Sequence, residues 1–96
     1  MAKKNLATFL KDKRAKAGFT QAEIAKQLGY TSPQFVSNWE RGMSNPPIDT
    51  LKQIGKLYGV AMDDIFDVLL QTSIDEMKVS LRERFYSTPA KTSKSS

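Results

Sequence analysis

Residues 20–42, TQAEIAKQLGYTSPQFVSNWERG, decide the fold. Thr20 stands three residues before Glu23, the spacing of a capping box, in which a hydroxyl and a carboxylate satisfy backbone donors that a first helical turn leaves orphaned. Phe19 and Ile24 flank the box at the separation of a hydrophobic staple, so a helix starting at Gln21 is firmly signalled. Gly29 marks its end, because glycine enters the left-handed region without a Cβ penalty. Ser32-Pro33 then restarts a helix, with serine as N-cap and proline at the first helical position. Two short helices, over residues 21–28 and 33–41, are thus expected to meet at a sharp corner.

The second of these helices carries two unlike faces. At 3.6 residues per turn Gln34, Ser37, Asn38 and Arg41 share one polar arc, while Phe35, Val36 and Trp39 take the opposite side. One side is available to pack and the other to meet a partner. Glutamine and asparagine amides match the N6 and N7 edge of adenine in the major groove, and a good bidentate pair discriminates by about 1–3 kcal/mol against a wrong base. On an isolated helix the same arc is ordinarily only solvated. The helix corner in front of it is what favours a base-reading role for Gln34, Ser37 and Asn38. Arg41, just before the helix-stopping Gly42, is better placed to clamp phosphate than to read a base, and Ser32 and Asn45 join it as candidate phosphate contacts. Trp39 could stack on a base, but its apolar-side position favours core packing.

Composition bounds the rest. With 96 residues, 40% hydrophobic and 26% charged, the chain can hold one small domain and little else. It has neither cysteine nor histidine, which excludes disulfides, thiolate or imidazole metal sites and cysteine- or histidine-based catalysis; no cofactor is expected, although a carboxylate-only metal site stays formally open. No nucleophile–base pair or phosphate-cradling glycine loop points to an enzyme. No apolar run approaches the ~20 residues of a membrane span, and the N-terminus lacks a secretory apolar region, so a cytoplasmic protein without a membrane partner is expected. The net charge of +5 suits a polyanionic partner, but it is segregated. Residues 1–16 hold six bases against Asp12 alone, residues 63–77 hold five acids and no base, and the C-terminus is basic again. The acidic block is expected to face away from DNA, though each run taken singly reads equally well as a solvated helix face.

Along the chain, a first helix is expected over residues 5–17, with Leu6, Phe9, Leu10 and Arg14 on one stripe and Gly18 as its stop. After the two central helices comes a proline-containing loop, residues 43–47. A fourth helix then shows Ile48, Leu51, Ile54 and Tyr58 at helical spacing, ending at Gly59, with Gly55 inside at a modest propensity cost. Val60, Ile65, Phe66 and Leu69 make a fifth, with Asp63 and Asp64 in its first turn where the helix dipole favours carboxylates. No strand is credible. Arg14 and Glu40, each at the edge of an apolar stripe, are candidates for an ion pair across a helix crossing.

The segments TQAEIAKQLG, SPQFVSNWERG and PPIDTLKQIGKLYGV resemble helices two to four of the lambda-repressor-like, Cro-type helix-turn-helix regulators of phages and bacteria, a resemblance covering residues 6–66. It implies an all-α, five-helix DNA-binding domain, with the helix after the turn in the major groove and Gln34 and Asn38 meeting bases. It further implies a phosphate contact for Gln21, helped by the backbone amide at its helix N-terminus, and a structural Arg14–Glu40 salt bridge. The chain departs from the family in three places. Tyr30 looks like an added residue in the turn, Pro33 replaces a frequent base-contacting polar residue, and Ala61 lacks the usual polar N-cap of helix five.

Beyond the resemblance, Ser73 and Glu76 repeat the capping-box spacing, so residues 71–86 are expected to form an additional helix with Ile74, Met77, Leu81 and Phe85 on one stripe. So short a helix needs a surface to pack on, supplied by the domain or by another subunit. A domain over residues 1–70, this appended amphipathic helix as a dimerisation or partner-docking element, and a disordered tail over residues 87–96 complete the organisation. The function expected is sequence-specific binding of double-stranded DNA by a dimer on an inverted-repeat operator, as a bacterial or phage-encoded repressor or regulator associated with the nucleoid. An antitoxin whose extra helix masks a toxin, and a protein-binding adaptor working through that helix, remain alternatives.

Overall fold

The computed structural model describes residues 5–91, and every regular element among them is a helix. In order these are α1 (Leu6–Lys16), α2 (Gln21–Gln27), α3 (Gln34–Glu40), α4 (Ile48–Tyr58) and α5 (Met62–Ser87). Leu6, Phe9 and Leu10 of α1 meet Ile24 and Ala25 of α2, Val36 and Trp39 of α3, Leu51 and Ile54 of α4, and Ile65 and Val68 of α5 in one core. Each helix contributes only one stripe, and the all-α expectation holds.

The corner between α2 and α3 is built as its residues dictate. Thr20 Oγ1 accepts from Glu23 N at 3.1 Å and Glu23 Oε1 accepts from Thr20 N at 2.8 Å, which completes the capping box. At the other end Gly29 turns left-handed, with φ at 88°. Its amide donates to Lys26 O at 3.1 Å and that of Tyr30 to Ala25 O at 2.9 Å, the paired bonds of a Schellman closure. Tyr30, in the turn, packs its ring 4.9 Å from Phe35 and 6.0 Å from Trp39. The helix restart differs from expectation: Pro33 is the N-cap and Gln34 the first helical residue, and Ser32, whose Oγ is 3.4 Å from Gln34 N, does not cap the helix.

Several expectations need correction. The capping pattern at Ser73 starts no helix, because α5 is continuous across it for 26 residues, about 39 Å. The boundary drawn between residues 70 and 71 therefore falls inside one helix. Capping residues act only where a backbone amide lacks a helical partner, and those after Ser73 already have one. Phe35, Ile48 and Phe66, assigned to packing stripes, are all more than half exposed. Gly55 also lies under α5: a Cβ there would collide with Ile65 Cδ1 and lie 2.8 Å from Met62 Cε, so the ends of these two side chains fill the space over it and would have to shift. Ser87 closes α5 and residues 88–91 have no regular structure; the rest of the predicted tail, and Lys3 and Lys4, lie outside the described residues.

Thr72, half-way along α5, is one of the few buried polar residues, and its Oγ1 accepts from Leu6 N at 2.9 Å. Asn5 Oδ1 accepts from Thr8 N at 2.9 Å, so α1 is capped by its own preceding residue and by α5 together. This bond ties α5 beyond residue 70 to the first helix of the core. Replacing Thr72 with valine leaves a buried donor unmatched and is expected to lower unfolding free energy by about 1–3 kcal/mol in urea titrations. By the same logic a chain ending at Leu70 should melt well below one ending at Ser73.

Candidate nucleic-acid interface

The surface begins with a buried carboxylate. Glu40, at the end of α3, has a side chain 2% exposed. Arg14 of α1 donates from Nε to Glu40 Oε2 at 2.6 Å and from Nη2 to Oε1 at 3.0 Å, a bidentate pair, and from Nη1 to the carbonyl of Phe19 at 2.7 Å. Gln21, the first residue of α2, donates from Nε2 to Glu40 Oε1 at 3.0 Å. One carboxylate on α3 therefore gathers donors from α1 and α2, while the guanidinium also holds the chain leading into α2. Hydrogen bonding to Glu40 raises the Arg14 pKa above the ordinary arginine value, against the opposing desolvation. Burial, reinforced by the Glu40 charge, likewise raises the Tyr58 phenol and keeps it neutral.

The polar arc of α3 faces outward on this frame. Gln34 is exposed, and Ser37 and Asn38 are half-buried beside it. Gln34 Nε2 donates to Asn38 Oδ1 at 2.9 Å, so the two amides form one unit. Gln34 keeps Oε1 and its second Nε2 proton free of this bond, the acceptor and donor that adenine requires, and Asn38 keeps its Nδ2 protons. Behind them Val36 and Trp39 enter the core, whereas Phe35 lies against Tyr30 at the surface. Trp39 is 4% exposed, which leaves core packing as its role.

Ser32, Arg41 and Asn45 are exposed around this arc. Gln21 is not free in the same way: its amide braces Glu40, and only its second Nε2 proton and its backbone amide remain for a phosphate. Arg41 and Asn45 share a groove with Asp75, Glu76 and Glu83 of α5, and Asn45 Nδ2 approaches Glu76 Oε1 at 3.4 Å. Part of the acidic block thus stands beside the candidate phosphate contacts. The signal was available in the 3.6-residue period, which carries the buried face of Val68 and Thr72 onward to Glu76, Val79 and Glu83. A continuous α5 was needed to read it. Ile74, Met77, Leu81 and Phe85 lie on the far side of α5 with exposures from 39% at Ile74 to 71% at Phe85. Among the described residues no carboxylate cluster is placed to hold a metal ion, and no helix is long and apolar enough to cross a membrane.

Comparison with known proteins agrees with this geometry. The helix-turn-helix family profile matches residues 10–65, more than half of the chain, and the chain belongs to that lambda-repressor-like family of DNA-binding transcription regulators. It is 41% identical over 59 residues to the HTH-type transcriptional regulator ImmR of Bacillus subtilis (strain 168), a match covering 62% of this chain and 46% of that protein. It is 36% identical over 56 residues to the HTH-type transcriptional activator BcrR of Enterococcus faecalis, covering 58% of this chain and 27% of that protein. The chain thus spans less than half the length of either relative.

Removing Arg14 strands the Glu40 carboxylate with one side-chain donor. Arg14→Ala is expected to cost about 3–5 kcal/mol of folding stability, visible in thermal melts of the free protein. Arg14→Lys should recover only part of it, since an ammonium lacks the planar fork. An unchanged melt with lost DNA binding would make Arg14 a phosphate contact instead.

Proposed function

We propose that this chain binds double-stranded DNA sequence-specifically as a homodimer on an inverted-repeat operator, and regulates transcription by occupying it. The observation that carries this reading is the outward amide pair of Gln34 and Asn38 on a helix whose orientation is fixed by the buried Arg14–Glu40–Gln21 network. In the major groove Gln34 would take one adenine with Oε1 and its free Nε2 proton, while Asn38 holds the amide plane and offers its own protons to a neighbouring base acceptor. Ser37 stands on the same arc. Arg41, Ser32, Asn45 and the α2 N-terminus with Gln21 would meet phosphates and set register without reading sequence. The exposed stripe of Ile74, Met77, Leu81 and Phe85 would join two subunits, presenting two reading helices about 34–36 Å apart along DNA. Such a protein would reside on the nucleoid of a bacterial or phage-infected cell. Occupancy represses where the operator overlaps a promoter; of the two relatives, one is named a regulator and the other an activator.

Fluorescence anisotropy on operator and random duplexes tests the assignment. Gln34→Ala and Asn38→Ala should each cost about 1–3 kcal/mol on operator DNA while leaving random-duplex binding nearly unchanged, and their double mutant should lose less than the sum because one amide orients the other. Arg41→Ala should weaken binding to both duplexes alike. Unchanged sequence preference in Gln34→Ala would displace the reading face from α3.

The carboxylates beside Arg41 and Asn45 make a separate prediction. Glu76→Gln removes a negative charge from the groove and is expected to tighten DNA binding by roughly two- to fivefold at low salt, an effect that fades as salt is raised. No change at low salt would place this part of α5 away from the phosphates.

A further inference from the structure

The stripe on α5 is longer than its C-terminal half. Phe66 and Leu70 are also exposed and continue it, so Phe66, Leu70, Ile74, Met77, Leu81 and Phe85 lie within an arc of about 100°, on the side of the helix opposite Ile65, Val68 and Thr72. They form an apolar strip about 29 Å long that no other element among the described residues covers. An uncovered strip of this size marks an interaction surface. Within it Leu70 and Met77, and Phe66 and Leu81, stand at equal distances on either side of the midpoint between Ser73 and Ile74. Two copies laid antiparallel across that midpoint set Leu70 opposite Met77 and Phe66 opposite Leu81, with Ile74 opposite Ser73.

Charge selects the same direction. Beyond one edge of the strip stand Asp64 and Asp67 in its N-terminal half, which also line a groove with Lys13 of α1, and Lys78 and Arg82 in its C-terminal half. The other flank carries Ser73, Ser80 and Arg84. Antiparallel helices bring like flanks together, which sets the acids of each copy against the bases of the other. Parallel helices bring unlike flanks together, which sets Lys78 and Arg82 against Ser80 and Arg84 and leaves the acids without a base. We infer that the occupant of this strip is a second copy of the same chain, with the two α5 helices antiparallel and their two-fold axis between Ser73 and Ile74. Each DNA-binding core then hangs on the outer side of a central two-helix spine, and the interface is isologous and closed. This deepens the homodimer reading and rests on it.

The chain has no cysteine, so single introduced cysteines report the pairing directly. Leu70→Cys and Met77→Cys variants, mixed, denatured together, refolded and oxidised, are expected to give predominantly the mixed Cys–Cys dimer. Antiparallel pairing separates two copies of position 70 by about seven residues of helix, or ~10 Å, beyond the ~7 Å a disulfide spans. Predominant dimers of each variant with itself would establish parallel helices and overturn the inference. So would a wild-type dimer in sedimentation for which the mixed Leu70→Cys and Met77→Cys proteins yield no cross-linked product. A monomeric wild type at tens of micromolar would instead remove the homodimer reading itself. Charge provides a second readout without touching the strip. Asp64→Lys/Asp67→Lys and Lys78→Glu/Arg82→Glu proteins should each dimerise roughly tenfold more weakly than wild type and recover when mixed. Unaltered self-association of both variants would contradict the antiparallel arrangement.

Discussion

The Glu40 carboxylate is the constraint on which the rest depends. A charge with a side chain 2% exposed is costly unless it is fully bonded, and its three side-chain donor bonds come from two other helices. The bidentate fork of Arg14 fixes α1 against α3 in distance and in plane, and Gln21 fixes the start of α2 against the end of α3. A hydrophobic core alone would tolerate sliding of such short helices, since α2 and α3 have seven residues each. The ion pair does not tolerate it. What it holds in place is the outward arc of α3, so the stability of the fold and the accuracy of the candidate reading surface share one interaction.

The α2–α3 corner was legible because its signals are local. A capping box, a glycine in left-handed conformation and a helix restart each act within four residues, and the chain around Gly29 has no strong competitor. Signals failed where tertiary context decides. Ser73 and Glu76 look like a start only if the preceding residues are not helical, and residues 62–72 are. Phe35 and Ile48 fit a helical period but sit at the margins of their stripes, where period alone cannot separate core from surface, and Phe66 lies on the side of α5 away from the core. Gly55 looked like a weak helix residue, and the side chains of Ile65 and Met62 that fill the space over it are visible only once α5 lies on α4. Gln21 was assigned from resemblance to phosphate, and in the free protein its amide is already engaged with Glu40.

The length of α5 gives it two unlike sides. Its inner face completes the core through Ile65, Val68 and Thr72 and then carries Glu76 and Glu83 past the groove beside Arg41. Its outer face is the uncovered apolar strip. The proposed subunit joining and the electrostatics near the candidate phosphate contacts therefore reside on one helix, and a change in how α5 is held would reach both.

Selection of bound duplexes from a random DNA pool by the wild-type protein tests the central claim most directly. The account predicts enrichment of one inverted repeat, with half-sites centred about one helical turn apart or a multiple of it. It further predicts that the Gln34→Ala protein enriches the same repeat with its preference lost at one position in each half-site. A pool that stays unenriched while the protein remains folded and binds DNA in a purely salt-dependent way would contradict it.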